Sequence, residues 1–204
     1  ALILSHGPWP LEAAAYPSNR FSGLAEAVKF GKSLFSDPRL SSDNDVSCQS
    51  CHLPELGFTD GLARSEGMAR VDRNSMSLAN LRLNRWFGWD GKSDTLWAQS
   101  IHPILDGKEM GATAAMIAAR VAEHPDMAES YRALTGHAVS EEPADTVLVN
   151  IGKFLAAYQE TLVTPRTEFD AFRDALETGD DDGINAYPEA AKRGLKLFAG
   201  RGNC

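Results

Sequence analysis

The sequence predicts an all-α fold, on three observations. Residues 143 to 162 carry apolar side chains at helical spacing, shorter amphipathic stretches are opened or closed by capping residues, and the remaining long interval, 41 to 92, is rich in Gly, Pro, Asn, Asp and Ser. An interval of that length without regular structure belongs in a compact domain only if it wraps a bound group.

Taken in chain order, the first helix is expected from Ser22, which can N-cap it, through Leu24, Val28, Leu34 and Phe35, with Asp37–Pro38–Arg39 ending it. After Gly91 helices resume over 93–100, over 113–123 with Thr113 as cap, and over 126–134, closed by Thr135 and Gly136. The strongest spans 143–162, where Val147, Ile151, Phe154, Leu155 and Tyr158 form a stripe read as core. A short helix follows at 168–176. The acidic, apolar-free segment 177–183 reads as a solvated linker, since it lacks the alternating oxygen ligands and closing Glu of a calcium loop. A last helix is expected from Tyr187. The division that results is 1–177 as one domain and 178–204 as a linker and the start of another.

The chain has 204 residues, 43% hydrophobic and 24% charged, with a formal net charge of −8. That balance is of an ordinary globular chain and argues against nucleic acid, whose phosphates call for clustered Lys and Arg. No apolar run is long enough to span a membrane.

The residues that carry chemistry are Cys48, Cys51 and His52, in the order Ser47–Cys48–Gln49–Ser50–Cys51–His52. CxxCH is the attachment signature of c-type haem: both thiols add to the porphyrin vinyl groups and the adjacent imidazole is the proximal iron ligand. A zinc half-site would need further paired ligands, and the one other cysteine is Cys204. A thioredoxin-like dithiol would need a βαβ setting, which is absent. Covalent haem implies export, so a periplasmic location is expected, and the start Ala1–Leu2–Ile3 without Met suits a processed product.

The run from Phe198 to Cys204 echoes Gly31–Pro38, which leads to the first haem motif. Cys204 is therefore expected to be the first cysteine of a second CxxCH, making this the first of two tandem c-type haem domains.

From Gly31 to Met110, and more weakly to Cys204, the sequence resembles the bacterial dihaem cytochrome c peroxidase and MauG family. The resemblance rests on Leu34–Ser41, on the haem motif itself, on Phe58–Thr59–Asp60–Gly61, on Arg73–Asn74, on Trp89 to Asp94 and on Glu109–Met110, in that order. It implies cytochrome c-like domains, haem c twice in the full-length protein and once here, and calcium between the domains with Asn74 as a side-chain ligand. Cys48, Cys51 and His52 match the peroxide-reacting haem. Trp89 matches the tryptophan between the haems, and Gln99 and Glu109 match the pair above the open face. There a carboxylate of raised pKa can move the peroxide proton while Gln99 holds peroxide or water.

The chain departs from the family at Ser65–Glu66–Gly67–Met68. Peroxidases that need reductive activation have a capping His in this loop, whereas here Met68 stands there and no His lies between His52 and His102. Met68 reads as loop packing, with iron ligation as the sharper alternative. His102, His6, His124 and His137 read as surface or hydrogen-bonding residues.

The first expectation is a peroxidase that reduces hydrogen peroxide with electrons from a small cytochrome or cupredoxin, relayed through the second haem. The second is a MauG-like enzyme using high-valent iron to oxidise Trp or Tyr of a partner protein. A non-enzymatic electron carrier is the third, and the Gln99 and Glu109 pair speaks against it.

Overall fold

The computed structural model describes residues 3–10 and 17–202. Cys204 lies outside the described residues, as does the echo at its last two positions. Among the described residues the regular structure is helical: α1 (Ala25–Phe35), α2 (Cys48–Cys51), α3 (Leu96–Leu105), α4 (Ala114–Glu123), α5 (Pro125–Thr135), α6 (Ala144–Gln159), α7 (Glu168–Thr178), α8 (Asp181–Ala186) and α9 (Glu189–Phe198). Extended chain appears there only as isolated bridges, Leu53 with Thr59, Glu66 with Arg70 and Phe87 with Ser93. The all-α class read from the sequence is the class observed.

Two compact units are present, one within Ala14–Val163 and one drawn from Ala1–Ala13 and Thr164–Cys204. In the first, α6 is the spine, with α1, α3 and α4 packed around it. Val147, Ile151, Phe154 and Leu155 of its apolar stripe are fully buried, each contributing about 1.5–3 kcal/mol relative to exposure. Phe154 meets Phe21 and Phe30 with ring centroids 4.6 and 5.3 Å apart. Gly31 lets α1 lie directly on this spine, because a Cβ there would fall 2.0 Å from the Phe154 carbonyl oxygen.

The second unit is short helices. Phe172 stacks on Tyr187 at 4.4 Å, and the buried Arg173 pairs with Asp174 and Glu177 and donates to the Leu4 carbonyl at 3.4 Å. Packing thus groups α7 with α8, and the break between compact units falls before α7 rather than after residue 177.

Several boundaries differ from the sequence reading for local reasons. Ser22 does not cap α1. Its hydroxyl donates to Glu160, and the helix begins at Ala25 after Leu24, which makes no side-chain cap. The helix expected at 93–100 begins at Leu96, because Ser93 is paired with Phe87 and Thr95 supplies the cap, its Oγ1 accepting from Ala98 N–H. It also continues through Pro103 to Leu105. The acidic segment 177–183 is not a plain linker. Gly179 closes α7 in the left-handed region and Asp181 opens α8, where Asp181 and Asp182 complement the positive end of the helix dipole. The last helix starts at Glu189, after Pro188, rather than at Tyr187. Thr113 caps α4 and Gly136 ends α5 as read.

Candidate haem site

A single helical turn carries the haem motif. The Ser47 N–H donates to Ser50 Oγ over 3.0 Å at its start, and the His52 N–H donates to the Cys48 carbonyl over 3.0 Å at its end. Residues three apart on such a turn share a face, so Cys48 and Cys51 point the same way. Burial pushes the Cys48 thiol up to about 12 and raises the Cys51 thiol as well. Both are therefore neutral thiols near pH 7. Cys51 Sγ also donates to the Glu66 carbonyl at 3.6 Å.

His52 is oriented by its own loop. The left-handed pair Gly57 and Phe58, φ 65° and 62°, folds the chain back beneath the imidazole, and the Phe58 carbonyl lies 2.9 Å from His52 Nδ1. A carbonyl can only accept, so Nδ1 carries the proton and Nε2 is the nitrogen left for a metal. Burial lowers the His52 pKa against the raising pull of the Phe58 and Met76 backbone and of Asp60. The imidazole is neutral, as a ligand must be.

These three residues face a cavity of about 480 Å³ whose walls include Phe35, Val46, Leu78, Leu81, Phe87 and Met110. Its size lies in the range of cofactor pockets. Asn74, Trp89, Gln99 and Glu109 line the same cavity. All seven candidate residues described in the structure are thus gathered at one place.

Gln99 and Glu109 come from α3 and the turn that follows it. Gln99 Oε1 accepts from Ser93 Oγ at 3.1 Å, which leaves its amide N–H groups as free donors toward the cavity. The turn is fixed by Asp106, whose carbonyl accepts from Glu109 N–H at 3.0 Å and Gly111 N–H at 2.8 Å. Burial, then the nearby Asp106, raises the Glu109 pKa above its ordinary 4.5, and Lys92 opposes the shift.

The loop at 65–70 is laid along this turn. The Met68 N–H donates to the Glu109 carbonyl and the Ala69 N–H to the Lys108 carbonyl, at 3.0 and 2.9 Å. Gly67 permits the approach, since a Cβ there would sit 2.6 Å from the Glu109 carbonyl oxygen. Met68 Sδ accepts from Ser42 Oγ at 3.0 Å, beside Gly111, and the side chain does not line the cavity.

Trp89 is 53% exposed, and its Nε1 donates to the Asn74 carbonyl at 3.0 Å. Asn74 Nδ2 donates to the Ser75 carbonyl at 3.4 Å. His102 is exposed on α3 outside the cavity lining, His6 and His137 are exposed, and His124 precedes α5.

Sequence reasoning missed Ser93, Lys92 and the pair Ser100 and Gln159. Gln159 Nε2 donates to Ser100 Oγ at 2.9 Å, both are buried, and both line the cavity. The signal for Gln159 was present: it is a polar residue four positions after Leu155, on the buried face of α6.

Paired thiols on one turn, a neutral imidazole whose Nδ1 is held by the Phe58 carbonyl, and apolar walls fit a covalently held c-type haem, and the molecule is of the cytochrome c-like, all-α haem class. The family model described as "Di-haem cytochrome c peroxidase" matches residues 25–178. The chain belongs to the dihaem cytochrome c peroxidase and MauG family. It is 40% identical over 181 residues to the methylamine utilization protein MauG of Methylorubrum extorquens, covering 88% of this chain and 48% of that one. Against the cytochrome c551 peroxidase of Nitrosomonas europaea it is 34% identical over 181 residues, with coverages of 87% and 50%. Among solved structures, a MauG-like protein associated with microbial copper homeostasis superposes with a TM-score of 0.72 at 28% identity, covering 94% of this chain and 55% of that one. The chain spans about half the length of the curated relatives it matches.

Proposed function

We propose that this chain is the peroxide-reacting half of a dihaem c-type peroxidase exported to the periplasm. The observation that carries the reading is the placing of Gln99 and Glu109 in the cavity faced by Cys48, Cys51 and His52. Bound there, a c-type haem supplies the electrons that break the O–O bond. Cys48 and Cys51 would hold it by thioethers and His52 Nε2 would be its proximal ligand.

Glu109 then does the proton work. As a carboxylate it takes the proton from the oxygen of hydrogen peroxide that approaches the cavity floor, and as an acid it returns that proton to the departing oxygen, which leaves as water. Two further protons and two electrons complete the reduction of the remaining oxygen to a second water. Its half-buried setting keeps its pKa nearer working pH than an exposed Glu would have. The free amide hydrogens of Gln99 hold the peroxide oxygen in line, and the Ser93 bond keeps the amide from rotating.

Glu109→Gln in the full-length protein should keep normal haem content and lose about 10²–10⁴-fold in peroxide turnover. Turnover near that of the parent would take Glu109 out of the mechanism.

Trp89, exposed at the cavity, would pass electrons toward a second haem, whose motif would begin at Cys204 in the segment from residue 178. Asn74 offers its Oδ1 to a calcium ion. Calcium takes six to eight oxygens and, among the described residues, no group of three His, Cys, Asp or Glu is set to hold a metal. Backbone carbonyls and water would complete that shell. Loss of thermal stability on chelation, absent in Asn74→Ala, tests the assignment.

One observation favours the MauG-like reading, in which a partner protein rather than a small cytochrome or cupredoxin gives up the electrons. The loop that holds a capping His in activation-dependent peroxidases here holds Met68, and its sulfur is engaged by Ser42. Rapid reaction of the as-isolated protein with peroxide, coupled to slow turnover of small donors, would select this reading.

A further inference from the structure

Glu109 sits on a turn held from two sides. On one, Met68 and Ala69 donate to the carbonyls of Glu109 and Lys108. On the other, the Ser42 N–H donates to the Met110 carbonyl at 2.8 Å, and Ser42 Oγ reaches across to Met68 Sδ. Ser42 therefore touches both segments that flank the carboxylate.

The segment bearing Ser42 is itself gripped by one side chain. Arg120 of α4, half-buried, donates through Nη1 to the carbonyls of Arg39 and Ser41 and through Nη2 to that of Ser42 at 2.9 Å. A planar guanidinium can serve three carbonyls at once in fixed directions, which an ammonium on a flexible stem cannot. Arg120 does not line the cavity. Its neighbours Ile117 and Val121 are fully buried, so its helix is anchored in the core.

We propose that Arg120 is a positioning residue for the acid–base step: it fixes residues 39–42, which through Ser42 fix the Met110 and Met68 segments and so the place of the Glu109 carboxylate. The proposal rests on Glu109 being the proton carrier. A displacement of about 1 Å at a reacting group can cost on the order of 10²-fold in rate, and the path from Arg120 to Glu109 runs through only a few backbone bonds.

The test uses the full-length, haem-loaded ferric protein and two small probes. Hydrogen cyanide must give up a proton to bind as the anion, whereas nitric oxide binds without proton transfer. In Arg120→Lys, cyanide association should slow roughly tenfold or more while nitric oxide association and haem content stay as in the parent. Glu109→Gln, measured alongside, should slow cyanide at least as much, and adding Arg120→Lys to it should slow cyanide no further, since residues acting as one unit are not additive.

Parent-like cyanide rates in Arg120→Lys beside a slow Glu109→Gln would overturn the proposal and leave the role of Glu109 standing. Equal slowing of cyanide and nitric oxide would also overturn it, by showing a general change in the cavity. Fast cyanide binding in Glu109→Gln would remove both the proton-carrier reading and this one. Arg120→Gln, shorter but still a donor, gives the same pair of rates if the lysine variant does not take up haem.

Discussion

Ser93 Oγ and Gln99 Oε1 lie 3.1 Å apart, and the hydroxyl has no freedom to leave, because Ser93 is 3% exposed and its backbone is paired on both sides with Phe87. The bond decides which end of the amide is offered to the cavity. Ser93→Ala should therefore lower peroxide turnover less than Glu109→Gln does, with haem content unchanged, and cost about 1–3 kcal/mol of stability through the acceptor left unpaired. Steady-state kinetics with thermal melts would show it. An unaltered rate would mean that the amide does not need Ser93 to hold its orientation.

Glu109 sets the pH dependence. Its carboxyl is raised above 4.5 by burial and by Asp106, and the active form is the carboxylate, so the rate of reaction with peroxide should climb with pH through a limb above the ordinary glutamate range. Lys92 pulls the other way. Lys92→Met should move this limb to higher pH, seen in stopped-flow rates across a pH series, and a limb that stays in place would show that Lys92 does not govern it. The linked stability has a definite sign. With its folded pKa above its unfolded one, Glu109 makes the fold less stable as pH rises from 4.5 through the raised value.

Met68 should be silent in the spectrum. Its sulfur accepts from Ser42 and stands beside Gly111 rather than in the cavity wall. Met68→Leu should accordingly leave the absorption bands of the as-isolated ferric protein in place. A shift to a different spin state would show that the thioether reaches iron.

Cys48 and Cys51 should each contribute a thioether. Cys48→Ala, expressed with the haem-attachment machinery, should lose most of its covalent haem, measured as the mass added to the denatured chain. Full retention would assign attachment elsewhere.

Most of the site was legible because its residues are fixed by covalent and coordination chemistry at short sequence spacing. Cys48, Cys51 and His52 need only one helical turn to come together, and α6 announced itself by Val147, Ile151, Phe154 and Leu155 at helical intervals. Helix starts were less legible. Ser22 is a plausible cap in sequence, but tertiary demand, the pull of Glu160 on its hydroxyl, took it out of that role, and the cap that opens α3, Thr95, was not read at all. Arg120, Ser100 and Gln159 were hidden for another reason. Their partners lie 78, 59 and 59 residues away in the chain, and no local pattern encodes a hydrogen bond across that distance.

The bond from His52 to the Phe58 carbonyl has one more implication, for mutability. A side-chain partner can be deleted by a single codon change, but a backbone oxygen is present whatever residue stands at 58. The proximal imidazole is thus insured against loss of its acceptor and exposed instead to changes of chain direction. Phe58 holds a left-handed φ of 62° while its ring packs edge-on to Phe35 at 6.5 Å. A β-branched residue there would keep the acceptor atom and mis-aim it. Variation in this family member should be tolerated at 58 by shape of turn rather than by polarity.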